Sequence, residues 1–357
     1  MKKLPKNFCW RPFTQLYLQE SWHKPCCEFT EKLDNSNEFN KEVRDYILRN
    51  EWHPGCVTCK TNEENNNKKN SFRLKYNFDK IPELVVKNTF IPKIVELHPD
   101  NTCNLACITC GSYDSSKWAI ENRKMGISEN YRKRSVDLNL VKTLDFWKDT
   151  NTCILYGGET FYSKKILDIL NFLVSNKISS NLNLFLYTNG TFIDDEIIDL
   201  LSQFKHCDLG FSIDSVNERF NIIRWPANYI DVRKNFIKTK KLTNTNLRIT
   251  YTFSVLNSSN FIEDMNILNE EFTNKIYFNV LNNPPYYMAR NLPDELKQII
   301  LNSLKNKEKY KEVIDELKQE KVVNFNMIKA RLQTLDKFRN TDSSILFPPE
   351  VWDLADK

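Results

Sequence analysis

The stretch Cys103-Asn104-Leu105-Ala106-Cys107-Ile108-Thr109-Cys110 puts three thiols within eight residues, directly after an alternating apolar run, Ile94 to His98, that predicts a strand ending in a Pro-Asp-Asn turn. Three close thiolates are soft ligands that suit zinc or an iron-sulfur cluster. The loop has no nearby fourth cysteine, so one coordination position is left to something outside it. That is the mark of a reactive site rather than a structural one.

The chain around this loop has 357 residues, 41% of them hydrophobic, enough for one large domain with a smaller companion. Its 51 basic and 46 acidic residues leave a net charge of +5 without a clustered basic stripe, which leaves nucleic acid open as a partner without pointing to it. There is neither a signal-length apolar stretch after Met1-Lys2-Lys3 nor a run of eighteen apolar residues, so a cytoplasmic protein with no membrane partner is expected. Ten cysteines in such a chain argue for metal or catalysis over disulfides.

Residues 1–88 hold five of those cysteines. Cys9, the adjacent Cys26 and Cys27, and the Cys56-Val57-Thr58-Cys59 knuckle on a Pro54-Gly55 turn supply enough thiols for a four-ligand site, structural zinc or iron-sulfur, to which one of Cys26 and Cys27 need not contribute. The polar run Asn62 to Asn70 reads as a solvated loop.

From residue 89 to 290 short apolar strands alternate with amphipathic helices. The strands are expected at Lys93 to His98, Thr152 to Tyr156, Asn183 to Thr188, Cys207 to Ile213, Arg248 to Val255 and Ile276 to Leu281. Helices are expected between them, including Ser163 to Ser175 with Ser163 as its cap. Six strand-helix units imply a parallel sheet, open or barrel-shaped, with its ligands at the C-terminal strand ends. The cysteine loop, Gly157-Gly158-Glu159, Thr188-Asn189-Gly190 and Ser212-Ile213-Asp214-Ser215 all fall at such ends. Cys153 and Cys207 lie inside strands and read as core. Residues 291–357 read as packing helices, with nothing that suggests a site.

The Cys-x-x-x-Cys-x-x-Cys spacing, joined to Gly157-Gly158-Glu159 and the Ser212/Asp214 strand end, resembles the radical S-adenosylmethionine (radical SAM) enzymes. The resemblance implies an α/β fold, a partial (β/α)6 TIM-like barrel, here with a small N-terminal Cys-rich module and C-terminal helices. It implies that Cys103, Cys107 and Cys110 hold a 4Fe-4S cluster whose remaining iron is chelated by SAM. Such a cluster, reduced by a donor such as flavodoxin or ferredoxin, cleaves SAM to a 5'-deoxyadenosyl radical that abstracts hydrogen from a substrate. By the same resemblance Gly157, Gly158 and Glu159 face the methionyl amino group, Ser212, Asp214 and Asn189 line the SAM pocket, and Arg224 pairs with the SAM carboxylate.

The N-terminal cysteines, with Glu63 or Glu64 and Ser71-x-Arg73, are similar to the auxiliary-cluster modules called SPASM or twitch domains, implying a second iron-sulfur cluster on Cys9, Cys26 or Cys27, Cys56 and Cys59. Relatives with such modules often modify peptides, so a peptide or protein side chain is the expected substrate, with a nucleotide or small molecule as the alternative. A reading of another class is a non-catalytic zinc-binding interaction protein.

Overall fold

The computed structural model describes residues 4–20, 22–34, 38–65, 68, 71–75, 81–128, 131, 133–273, 275–305 and 307–354. Among the described residues nine strands, β1 (Gln15–Gln19), β2 (Trp22–Lys24), β3 (Leu33–Asp34), β4 (Ile94–His98), β5 (Thr152–Leu155), β6 (Asn183–Thr188), β7 (His206–Ser212), β8 (Thr245–Phe253) and β9 (Ile276–Val280), form one sheet. Their order is β3-β2-β1-β4-β5-β6-β7-β8-β9. The expected α/β class is present, and the six expected strands are β4 to β9, each within a few residues of its predicted span. The polar run 62–70 falls partly outside the described residues, and its first part, through Glu64, closes the helix Val57–Glu64.

Alternation builds these strands. In β6 every second residue, Leu184, Leu186 and Thr188, is buried, and in β4 Val95 and Leu97 are fully buried on the face opposite Glu96. The helix Lys164–Ser175 covers such a face with Ile166, Ile169, Leu170 and Leu173, an i, i+3, i+4, i+7 stripe. Ser163 caps it as expected, its Oγ accepting from the Ile166 N–H at 3.3 Å while donating to Asp100 Oδ2 at 3.0 Å. Cys153 and Cys207 are fully buried.

The N-terminal residues join the sheet. β1 pairs in parallel with β4, from Gln15 opposite Ile94 to Gln19 opposite His98, and β2 and β3 add antiparallel strands beyond it. Beside them Phe8, Phe13, Phe29, Val43, Ile47 and Leu84 pack into a separate apolar cluster.

The chain divides into two compact units. The first collects residues 1–101, 133–186 and 203–207, and the second residues 102–132, 187–202 and 208–357. In the second unit an aromatic cluster of Tyr251, Phe253, Phe261, Phe278 and Tyr310 packs edge to face under β8 and β9. Among the described residues no helix is long and apolar enough to cross a membrane.

Candidate functional site

The cysteine loop follows β4 and belongs to the second unit. It has little regular structure, so side chains and neighbouring backbone hold its shape. Cys103 N–H donates to Ser116 Oγ at 3.0 Å, Ser115 Oγ donates to Leu105 O at 2.5 Å, and Trp118 Nε1–H donates to Cys107 O at 2.7 Å. These three come from the start of the helix Ser116–Lys124 and its cap, Ser115.

A second brace comes from the turn after the helix Asn217–Ile223. Ala106 N–H donates to Trp225 O at 2.7 Å and Ile108 N–H to Ile223 O at 2.8 Å, so Cys107 stands opposite Arg224 in a short ladder. Asn189 supplies a third. Its Nδ2 donates to Asn104 Oδ1 at 2.9 Å, and Asn104 Nδ2 donates to Thr191 Oγ1 at 2.9 Å. The turn carrying Asn189 depends on Gly190, whose φ is +76° and where a Cβ would press on Phe211 and Val232.

Arg224 lies within the ladder. Its Nη1 donates to Cys107 Sγ at 3.6 Å, and its Nε lies 2.9 Å from Asp214 Oδ2, a close ion pair rather than an aligned hydrogen bond. Asp214 is itself fixed, its Oδ1 accepting from Thr252 N–H at 2.8 Å and its main-chain O from Asn257 Nδ2 at 2.7 Å. Burial alone would lower the Arg224 pKa, but Asp214 and Cys107 outweigh it and the guanidinium is held charged. Burial pushes the Cys107 and Cys110 thiols up, Arg224 opposing it at Cys107. Thiols so buried give up their protons when a metal takes them.

The structure thus brings Cys103, Cys107, Cys110, Asn189, Asp214 and Arg224 into one network, and Ser212 ends β7 half-buried two residues before Asp214. Gly157, Gly158 and Glu159 follow β5. A Cβ on Gly157 would meet Ile166 and the Asp100 carbonyl, and Glu159 is buried with its Oε1 accepting from Phe161 N–H at 3.2 Å.

One bracing residue was not anticipated. Arg339, at the end of the helix Phe325–Arg339, donates through Nη2 to Ala106 O at 2.8 Å and pairs with Glu121, both side chains being almost wholly buried. The C-terminal segment, expected only to pack, therefore holds the loop. The signal was faint: Arg339 is one basic residue among many in a Lys-rich segment.

In the first unit Cys9, Cys26, Cys56 and Cys59 line one small cavity of about 30 Å³, together with Arg11, Arg73 and Trp52. Arg73 pairs with Glu63 and donates to Phe8 O at 2.8 Å, and Ser71 Oγ donates to Glu63 at 2.6 Å, so the Glu63 and Ser71-x-Arg73 elements tie the cavity's wall together. Burial raises the pKa of Cys9 to about 11 and of Cys56 to about 12. Among the described residues no three His, Cys, Asp or Glu side chains gather tightly enough to hold a single ion. What the four thiols share is the cavity.

Cys27 points elsewhere. It lines a second cavity of about 580 Å³ beside β4, β5 and β6, with Arg11, Gln15, Glu96, Ile154, Tyr156 and Phe185. Glu96 is 3% exposed and accepts from Gln15 Nε2 at 2.9 Å. Burial lifts its pKa to about 7 against the opposing pull of Arg11, Gln15 and Lys24. The sequence did carry a sign of it, a glutamate in the middle of an otherwise apolar strand.

No curated protein sequence matches the chain. Among solved structures, native anSMEcpe with bound AdoMet and the Cp18Cys peptide is 17% identical, covering 59% of this chain and 58% of that one, with a TM-score of 0.44. Streptococcus suis SuiB bound to precursor peptide SuiA is 14% identical, covering 78% and 65%, with a TM-score of 0.40. This chain thus spans less than two thirds of the length of either. Residues 98–270 match the family model described as the Radical SAM superfamily. That segment, just under half of the chain, contains the three-cysteine loop and most of the residues that brace it, and it is there that the chain is similar to the radical SAM superfamily.

Proposed function

We propose that the chain is a radical SAM enzyme acting on a peptide or protein side chain, with residues 1–88 as an auxiliary-cluster module, 89–290 as the SAM-binding core and 291–357 as a helical extension. The observation that carries the reading is the loop Cys103 to Cys110: three thiols inside the matched segment, held through the backbone by Trp118 and Arg339 and through side chains by Asn189 and Arg224. The donor set fits a 4Fe-4S cluster, since three soft thiolates leave one iron to a ligand that is not protein.

When bound and reduced by one electron, from a donor such as flavodoxin or ferredoxin, the cluster supplies the cleavage of SAM and the radical that removes a hydrogen atom from the substrate. The chain's own residues hold and shield that chemistry. Cys103, Cys107 and Cys110 would ligate the cluster. Gly157, Gly158 and Glu159 would face the SAM amino group, Ser212 and Asn189 its ribose side, and Asp214 with Arg224 the edge next to Cys107. Cys9, Cys26, Cys56 and Cys59 would hold the auxiliary cluster around their common cavity. The peptide substrate rests on the likeness of that cysteine layout to auxiliary-cluster modules.

The test is metal and product analysis. Anaerobically reconstituted protein should carry iron and sulfide at two sites and form 5'-deoxyadenosine from SAM with dithionite. The triple variant Cys103→Ala, Cys107→Ala, Cys110→Ala should lose one cluster and all product. Stoichiometric zinc without iron after reconstitution would sink the proposal in favour of a zinc-binding interaction protein.

A further inference from the structure

Among the described residues the Arg224 guanidinium reaches Cys107 and Asp214, and the backbone sets the first of these. The hydrogen bonds from Ala106 to Trp225 and from Ile108 to Ile223 flank the pair Cys107 and Arg224, so neither side chain can slide relative to the other without breaking the ladder. The guanidinium reaches Cys107 Sγ on one side and Asp214 on the other, and Asp214 is anchored by Thr252 and Asn257. The side chains of Arg224 and Asp214 are 13% and 3% exposed, so water does little to screen either charge. A buried, fully charged donor aimed at one thiol is a costly arrangement, and stability alone does not require it.

We infer that Arg224 is a positioning residue for the cluster of the three-cysteine loop: its charge-assisted hydrogen bond to the Cys107 sulfur makes that cluster easier to reduce, with Asp214 setting how much of the Arg224 charge the cluster feels. This rests on the proposed role of Cys107 as a cluster ligand. Reduction adds one electron to the cluster, and hydrogen bonds to its sulfurs and nearby positive charge favour the more negative state. Removing the guanidinium removes the donor and leaves the Asp214 carboxylate uncompensated, and both changes disfavour reduction. Removing the Asp214 charge does the reverse.

The experiment is an anaerobic dithionite titration of the reconstituted full chain followed by electron paramagnetic resonance, with iron measured on the same samples. The signal of the loop cluster is identified by its loss in the triple cysteine variant. Arg224→Met should shift its midpoint negative by at least a tenfold change in the one-electron equilibrium, about 59 mV. Arg224→Lys, which keeps the charge, should lie nearer wild type, and Asp214→Asn should shift the midpoint positive. An Arg224→Met protein with full iron and a wild-type midpoint overturns the inference and leaves the proposed function standing. If that variant does not fold, Asp214→Asn decides: a midpoint at or below wild type overturns the inference. A chain that takes up no iron overturns the proposed function and the inference together.

Discussion

Adjacent residues in an irregular segment need not face the same way, and Cys26 and Cys27 show it. Cys26 lines the cavity of Cys9, Cys56 and Cys59, whereas Cys27 lines the larger cavity with Glu96. Cys26→Ala should therefore lower iron content by about half relative to the two-cluster protein, and Cys27→Ala should leave it unchanged, as read by iron and sulfide analysis. The sequence left open which of the two need not be a ligand, since side-chain direction separates them and no spacing rule encodes it. Glu96 allows a prediction about pH. Its pKa of about 7 lies above its ordinary value of 4.5, so between these values the folded chain keeps a proton that the unfolded chain has released. Stability from this group falls as pH rises through that window and stays low above it. Glu96→Gln keeps an acceptor for Gln15 and carries no charge to bury. It should gain up to about 3 kcal/mol over wild type at pH 8 relative to the same comparison at pH 4.5, measured by urea denaturation.

At the scale of elements, the helix Phe325–Arg339 does more than cover a core face. Its last residue reaches Ala106 O and closes a buried pair with Glu121. Arg339→Met leaves the Glu121 carboxylate buried without its partner and should destabilise the chain by about 3–5 kcal/mol in urea denaturation. Arg339→Met with Glu121→Met should recover most of that loss in stability. It should not restore iron uptake by the loop, because the donor to Ala106 O is still missing. The helix Lys164–Ser175 gives a smaller case. Ser163 both caps it and binds Asp100, so Ser163→Ala should cost about 2 kcal/mol by the same measurement. The cap and the apolar stripe of this helix were legible because both are local patterns. The role of Arg339 was not, because it is a contact between residues 233 apart in the chain.

Over the whole molecule, the α/β class and all six expected strands followed from alternation and turn residues, whereas the pairing of β1 with β4 did not. That pairing joins residues about 80 apart, such as Gln15 and Ile94, and strand pattern alone does not name the partner. The four thiols of the N-terminal cavity come from positions 9, 26, 56 and 59, so a cluster there would tie together segments that are otherwise joined by short helices and a small apolar cluster. Reconstitution with iron and sulfide should slow amide exchange across residues 38–65 by at least about tenfold. Cys56→Ala with Cys59→Ala should abolish that protection without changing exchange around Cys107. The braces of the three-cysteine loop also bear on when it can form. Arg224 lies 117 residues after Cys107, and Arg339 lies 233 residues after Ala106. At roughly 5–20 residues per second of synthesis, Arg339 is added on the order of 10–50 seconds after the loop's thiols. The three cysteines are thus made well before the last of the residues that brace their loop. A ribosome stalled before Arg339 therefore displays the loop without its donor to Ala106 O and leaves Glu121 without its partner.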